Sequence, residues 1–166
     1  VCSSDLTENF AEVFEACVAA SGLAPQRLVI EVTEQALVAD IELARRSLQR
    51  LVAQGMCVAL DDFGAGFCNF RYLKLLPLQK LKLDRTMVEG IASDPRDLAV
   101  LRGIVAMARA LDLGVIAEGI ESDEQLVALR SMGCEYGQGF HLSRPVPFEV
   151  FPAGEVLPRG LPLRPQ

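Results

Sequence analysis

The sequence predicts an α/β protein built on a parallel sheet, and three observations favour this fold class. Five short runs rich in Val, Ile and Leu recur along the chain, and amphipathic stretches with helical spacing separate them. The core must be aliphatic, because Trp is absent and aromatic residues make up only 6% of the chain. Parallel strands joined by right-handed helical crossovers satisfy all three. An open doubly wound sheet and an incomplete barrel both fit this alternation.

The first half of the chain alternates twice between helix and strand. Apolar residues at helical spacing predict a helix over 7–21, and a β-branched run predicts a strand over 28–33. A second helix covers 41–54. A second strand, 57–60, then runs into two aspartates, and a short helical piece lies around 69–76.

The second half continues the same alternation. A strand is predicted over 80–83, and a helix begins at Pro95. A fourth strand covers 114–117. Another helix follows Ser122, and a fifth strand covers 135–142.

Three helix starts carry capping signals. Asp40 is placed to cap the second helix, and Ser93 or Asp94 precedes Pro95 at the first helical position. Ser122 with Gln125 three residues later predicts a capping box.

Composition restricts the function classes. The net charge is -6 and no dense Lys/Arg cluster occurs, which argues against a nucleic-acid polymer as partner. No apolar run has the length of a membrane span and no secretory signal opens the chain, so we expect a cytoplasmic domain without membrane contact from this segment. A membrane anchor elsewhere in a parent protein stays open. Five widely spaced cysteines and a single histidine, His141, disfavour a zinc site and indicate reduced, buried thiols.

The two ends of the chain differ from the rest. Residues 1–6 resemble the translation of commonly used sequencing-adapter DNA, so we exclude them from the fold as an artefact. Six prolines follow from Pro145 onward, and we expect 152–166 to be a loose tail.

Polar residues collect at or near the carboxyl ends of the predicted strands. They are Glu31, Glu34, Asp61, Asp62, Lys82, Asp84, Glu118, Glu121 and Gln138. In a barrel these ends form one mouth, so several carboxylates and one ammonium would converge there. Clustered carboxylates without Cys or His favour a hard cation, Mg²⁺ or Mn²⁺, and two adjacent aspartates could serve two ions.

Each group also has an ordinary explanation when it is taken alone. Asp61-Asp62 before Gly64 could form a turn, and Lys82 could pair with Asp84. Gln138 could satisfy loop backbone, and His141 is typical of a surface or capping residue. Separate ordinary roles for the polar residues of five consecutive strands are together a poorer explanation than one shared site.

Five segments of the chain resemble the signature segments of EAL domains, in the family's order and spacing, over roughly residues 7–151. They are LVIEVTE (28–34), LDDFGAGFCNFRYLKLLP (60–77), LKLDRTMV (81–88), VIAEGIES (115–122) and GCEYGQGFHLSRP (133–145). The resemblance implies a modified TIM barrel that hydrolyses cyclic di-GMP to the linear dinucleotide with two Mg²⁺ or Mn²⁺ ions. The chain would supply about five carboxyl-terminal βα units, an incomplete TIM-type barrel.

The resemblance also implies residue roles. Glu31, Asp61, Asp62 and Glu118 match the family's metal ligands. Lys82 matches the lysine that contacts the water nucleophile, and Gln138 matches a polar residue near the metals and that water. Glu34 matches the glutamate that steadies the loop after Asp61-Asp62, and Glu121 matches a supporting acid.

Some family features are absent from this sequence. It contains no Glu-Ala-Leu, and its only asparagines, Asn9 and Asn69, do not match the family's Asn ligand. We therefore expect about three strands to lie upstream of Val1 and the chain alone to be inactive. Phe67, Cys68 and Asn69 also depart from the family's usual loop residues.

Other functions remain open. A catalytically silent EAL domain could sense cyclic di-GMP or bind a protein partner, although every visible ligand position is filled. An unrelated lyase with Lys82 as Schiff-base nucleophile is the third alternative. Family members often dimerise after the Asp-Asp motif, which here implies a possible homodimer through Phe67–Leu76.

Overall fold

The protein has an α/β fold with parallel strands, which agrees with the predicted fold class. The computed structural model describes residues 9–38, 40–66, 70–147 and 161–162. The predicted adapter segment, 1–6, lies outside these residues, and so does the predicted tail except for 161–162. The chain divides into two compact units, residues 1–81 and 82–166, and the boundary falls inside the third strand.

The first unit alternates short helices with strands. Its elements are α1 (Phe10–Ser21), a 3₁₀ turn (Pro25–Arg27), β1 (Val29–Thr33), α2 (Glu34–Val38), α3 (Ile41–Ala53), β2 (Cys57–Phe63), α4 (Phe70–Leu75) and the start of β3 (Lys80–Leu83). The strands are hydrogen-bonded in the order β1-β2-β3. β1 and β2 pair in parallel from Val29 opposite Cys57 to Thr33 opposite Asp61.

Aliphatic side chains form most of the core of the first unit, as the composition predicts, but Phe63 and Tyr72 are buried there too. Ile30 and Val32 are buried on β1, and α3 packs on β2 through its own buried face, which includes Leu48 and Leu51. At the surface, Arg50 of α3 pairs with Glu15 of α1 at 2.6 Å.

The second unit contains the remaining elements. They are the end of β3, α5 (Arg85–Glu89), α6 (Pro95–Ala110), β4 (Gly114–Ala117), α7 (Asp123–Met132), β5 (Tyr136–Gly137) and β6 (Leu161–Pro162). The order here is β3-β4-β5-β6. β4 and β5 pair in parallel, with Ile116 opposite Tyr136, and β5 and β6 pair in antiparallel.

The predicted capping signals are confirmed. The Asp40 carboxylate accepts a hydrogen bond from the Leu43 amide at 2.9 Å, and Asp94 caps α6 through the Arg96 amide at 2.7 Å. Ser122 and Gln125 form the reciprocal capping box of α7.

Several elements differ from the sequence prediction. β2 continues through Phe63 instead of ending at Leu60, and β5 has two residues, where the sequence predicted a strand over 135–142. β5 ends early because the chain turns after Gln138, where the His141 amide donates to the Ile120 carbonyl. The five-residue helices α2 and α5 were not predicted, since so short a segment carries little periodicity.

Two further expectations concern the burial of the cysteine thiols and the presence of membrane-spanning helices. Burial of the thiols is confirmed for Cys134, but it is wrong for Cys17, which is exposed, and Cys57, which is half-buried. None of the described helices combines the length and the apolar composition that spanning a membrane requires.

Candidate functional site

Two predicted metal ligands of the first unit share one face of the β1–β2 pair. Glu31 lies opposite Ala59 and Thr33 lies opposite Asp61 in the parallel register. Since side chains alternate along a strand, Glu31 and Asp61 project from the same face, two residues apart along the strand direction. Glu31 is exposed and Asp61 is half-buried, so carboxylate oxygens on this face are accessible from solvent.

Asp62 interrupts the regular alternation of β2. Its φ angle is 54°, in the left-handed region that Asp tolerates better than most residues. The Asp62 amide donates to the Asp61 carboxylate at 3.0 Å, and the Asp62 carbonyl accepts from Ala65 in the following turn. The two aspartates therefore lie within a strand and not in a simple turn, and Asp62 does not follow the side-chain alternation of the preceding residues.

The segment after β2 is described in part. Glu34, the predicted loop-stabilising residue, is half-buried at the first position of α2. Phe67, Cys68 and Asn69 lie outside the described residues. Within the predicted dimer segment, Phe70 is 51% exposed, and its ring lies 6.0 Å from that of Phe63.

A partly buried ion pair marks the second unit. The Lys82 ammonium nitrogen on β3 lies 2.9 Å from Oε1 of Glu118, the residue that follows β4. Their side chains are 9% and 19% exposed. Lysine is seldom buried without an anionic partner, so Glu118 explains how the chain accommodates Lys82 in this position.

Backbone hydrogen bonds place Gln138 beside this pair. The Glu118 amide donates to the Leu83 carbonyl at 3.1 Å, and the Gln138 amide donates to the Ala117 carbonyl at 2.9 Å. Gly139 comes next and lies so close to the Ile120 backbone that a Cβ atom would collide with it. Glu118 and Gln138 consequently occupy neighbouring positions, each directly after its strand.

A cleft of about 510 Å³ opens at this end of the second unit. Its lining includes Arg85, Glu118, Glu121, Gln138, Phe140 and Arg144. The Arg144 guanidinium lies 4.9 Å from the centre of the Phe140 ring, a cation–π contact. The lining therefore combines two arginines and an exposed aromatic ring with two glutamates.

Arg85 and Glu121, which both line the cleft, form an ion pair. The guanidinium lies 3.2 Å from the Glu121 carboxylate, and its stem lies against Gly119, whose φ angle is 70°. A side chain at position 119 would collide with that stem. Partial burial raises the pKa of the neighbouring Asp84, but hydrogen bonds from Thr86 and the Arg85 amide outweigh it and hold that pKa below its ordinary value.

His141 pairs with Asp123 at 3.0 Å, which agrees with a surface or capping role. The sequence prediction missed Arg85, Phe140 and Arg144 as cleft residues. Arg85 directly follows the predicted Asp84 and Phe140 lies two residues after the predicted Gln138, whereas Arg144 carried no such signal.

The predicted site residues thus lie in the strands or shortly after them in both units. Carboxylates are the donors that hard divalent cations prefer, so the chemistry of the residues present fits Mg²⁺ or Mn²⁺. Within the described ranges, no three Asp, Glu, His or Cys side chains are grouped so as to hold a metal ion. The convergence of Glu31 and Asp61 with Lys82, Glu118 and Gln138 stays a prediction.

Comparison with known proteins identifies the relatives of this chain. The family model described as EAL domain matches residues 3–145. Cyclic di-GMP phosphodiesterase NbdA of Pseudomonas aeruginosa is 43% identical over 76% of this chain, and cyclic di-GMP phosphodiesterase RocR of the same species is 38% identical over 85%. The chain spans 16% of the length of NbdA and 36% of that of RocR.

Solved structures agree with these relatives. The EAL domain of Mycobacterium smegmatis DcpA has a TM-score of 0.80 and 37% identity, covering 86% of this chain and 66% of that one. A PaMucR phosphodiesterase complex with c-di-GMP has a TM-score of 0.78 and 35% identity, covering 87% and 61%. A Klebsiella pneumoniae BlrP1 manganese/cy-diGMP complex has a TM-score of 0.74 and 34% identity, covering 81% and 34%. These matches confirm the predicted fold class.

Proposed function

Because the chain belongs to the EAL-domain family, we propose that it supplies part of the active site of a cyclic di-GMP phosphodiesterase, which hydrolyses the cyclic dinucleotide to its linear form. The observation that carries the proposal is the pair of Lys82 and Glu118 at 2.9 Å beside the cleft that Gln138 also lines. An ammonium held in this way is available to orient a water and to stabilise negative charge that develops on a phosphate.

We assign Glu31, Asp61, Asp62 and Glu118 as ligands of two divalent cations, Mg²⁺ or Mn²⁺, in the intact domain. Support comes from the carboxylate donors that these four residues supply and from a structural neighbour solved with manganese. Such ions, when bound, lower the pKa of a water and neutralise phosphate charge. Within the chain, Lys82 binds and orients the water, and Gln138 donates or accepts a hydrogen bond beside it.

Supporting residues hold these groups in place. Glu34 would steady the loop after Asp61 and Asp62, and Glu121 would hold the Arg85 guanidinium on the side of the cleft. Cyclic di-GMP carries two phosphates and two purine rings, and the cleft arginines with Phe140 suit both parts. Dimerisation through Phe67–Leu76 remains part of the proposal, and the exposed Phe70 suits it.

A second function is favoured by one sequence observation. The chain contains no Glu-Ala-Leu, and its asparagines are restricted to Asn9 and Asn69, so two expected metal ligands are absent. A site that lacks these ligands could bind cyclic di-GMP or a protein partner without hydrolysing it. This silent function applies to the chain by itself, and to the intact domain if the missing ligands are absent there too.

The test compares two proteins: the 166-residue chain, and a version completed with the upstream strands of a close relative. Hydrolysis of cyclic di-GMP with Mn²⁺ is measured for both, beside Glu118→Gln in the completed version as matched control. We expect turnover from the completed protein, turnover lower by orders of magnitude from the chain alone, and a comparable loss in the control.

Each outcome separates the alternatives. Equal turnover by the chain and the completed protein would show that the missing ligands are dispensable and that the metal assignment is wrong. Binding without turnover in the completed protein would favour the silent function.

A further inference from the structure

Gln125 is the third residue of α7 and is one of the few buried polar side chains, at 7% exposure. Both polar atoms of its side-chain amide form hydrogen bonds. The side-chain oxygen accepts from the Glu121 amide at 2.7 Å and from the Ser122 amide at 3.1 Å. The side-chain nitrogen donates to the Val88 and Glu89 carbonyls at 3.3 and 3.4 Å. Gln125 therefore joins two separate elements of the second unit.

The bonds to Val88 and Glu89 exceed what capping requires. A capping box needs only the acceptor oxygen at this position, and glutamate serves as well as glutamine. The side-chain nitrogen of Gln125 instead donates to carbonyls at the end of α5, the helix that begins directly after Asp84. Glutamine, unlike glutamate, can cap α7 and bind α5 at the same time.

The segment that Gln125 holds, residues 118–122, carries two ion pairs of the cleft. The Glu118 amide binds the Leu83 carbonyl and the Ile120 amide binds the Gln138 carbonyl. Gln125 supplies the attachment at the other end of the segment. Glu118 faces Lys82 at 2.9 Å, and Glu121 faces Arg85 at 3.2 Å.

We infer that Gln125 is a positioning residue that fixes segment 118–122 to the end of α5, and so keeps Glu118 at Lys82 and Glu121 at Arg85. The structural part stands on these hydrogen bonds, and its catalytic consequence rests on the proposed function. Gln125 binds the backbone amide of Glu121, whose carboxylate pairs with Arg85. It acts through the backbone amides that it binds.

The experiment measures amide hydrogen exchange in the full chain for Gln125→Glu and Gln125→Met. Glutamate keeps the bonds to Glu121 and Ser122 but places a carboxylate against the Val88 and Glu89 carbonyls. We expect the Glu118 and Ile120 amides, which Gln125 does not contact, to exchange about tenfold faster in Gln125→Glu at about pH 8. Exchange within α7 should change less, because its cap is retained.

Two comparisons separate positioning from a general loss of stability. Gln79→Glu is the matched control, since Gln79 also accepts from an amide (Val58, 2.7 Å) and donates to a carbonyl (Pro77, 2.9 Å), but in the first unit. We expect it to leave segment 118–122 unchanged. Lowering the pH to about 5 should restore part of the protection in Gln125→Glu, because burial at position 125 raises the pKa of a carboxyl and the protonated form regains a donor.

Equal acceleration by Gln79→Glu, or unchanged protection in Gln125→Glu, would overturn the inference. In the completed protein, Gln125→Glu should lower kcat about tenfold or more with little change in KM, because the substrate-lining side chains are kept. If the completed protein shows no turnover at all, the proposed function fails while the exchange result still decides the positioning role. If exchange responds and kcat does not, Gln125 positions the segment without serving catalysis, which overturns the catalytic part.

Discussion

The Lys82 ammonium and the Glu118 carboxylate are 2.9 Å apart although they come from different strands, β3 and the end of β4. Both side chains are largely withdrawn from water. This contact gives the second unit a charged centre within a core that is mainly aliphatic. The stability of the fold therefore depends on the same two residues that we propose to act in hydrolysis.

Removing one partner of this pair should therefore destabilise the chain. We expect Lys82→Met and Glu118→Leu each to lower the free energy of unfolding by on the order of 1–3 kcal/mol, since the remaining charge loses its partner at 2.9 Å. The double variant should recover part of the loss, because neither charge of the pair then remains. Urea unfolding of all four proteins gives the coupling energy. Strictly additive losses would contradict a direct interaction.

The Asp62→Asn substitution should leave the stability of the fold nearly unchanged and lower turnover. Asn tolerates the left-handed backbone at least as well as Asp, so the free energy of unfolding of Asp62→Asn should lie within about 0.5 kcal/mol of the wild-type value. In the completed protein it should lower turnover by orders of magnitude, because a charged metal ligand is lost.

The complementary variant is Asp62→Val, whose branched side chain is strained at this φ angle. We expect a loss of about 1–2 kcal/mol in unfolding free energy. Near-normal turnover of Asp62→Asn at saturating Mn²⁺ would assign Asp62 a purely structural role.

Gly139 should not tolerate a side chain. A Cβ atom there would collide with the Ile120 backbone, so Gly139→Ala should cost about 1–3 kcal/mol and displace the turn after Gln138. Gly103→Ala is the matched control, because position 103 lies in α6 with open space around it. That variant should be neutral or stabilising by about 0.5–1 kcal/mol. Thermal unfolding of the two variants in parallel is the measurement, and similar midpoints would refute the steric argument.

Because the Cys134 thiol is buried, we expect the protein to lose stability in alkaline solution. Burial raises the pKa of this thiol to about 12 from its ordinary value of 9.0. Between these pH values the unfolded state releases a proton that the folded state keeps. Stability contributed by the thiol is therefore complete below 9.0 and falls as the pH rises above it, by up to about 1.4 kcal/mol per pH unit.

The measurement is the free energy of unfolding from about pH 8 to about pH 10.5, compared with Cys134→Ala. The variant should be less stable near neutrality but should lack this component of the slope. Parallel pH profiles would mean that the thiol ionises as easily in the folded protein as in the unfolded one.

The sequence allowed good prediction where one local signal determines the structure. β3 and β4 have the predicted bounds, and the caps at Asp40, Asp94 and Ser122 are confirmed, because each depends on a few adjacent residues. The left-handed backbone at Asp62 could not be predicted in this way. It depends on the turn that follows the strand, and Asp is compatible with several conformations.

Contacts between distant segments were predictable only in part. Strand-end placement indicated that Lys82 and Glu118 belong to one edge, and the structure brings them into contact. The position of Arg85 over Gly119 and the four bonds of Gln125 depend on how three segments pack. No periodicity in the sequence encodes such packing, so these residues were missed or were identified only as helix caps.

The two residues of β6 have a consequence for association between molecules. Leu161 and Pro162 pair in antiparallel with Gly137 and Tyr136, so the backbone groups of β5 on that side are already occupied. A strand edge with unpaired groups invites strand addition from another chain, and aggregation follows from such pairing. Pro162 lacks an amide proton and cannot extend the ladder as a donor. The short strand β6 therefore protects β5 against intermolecular strand pairing.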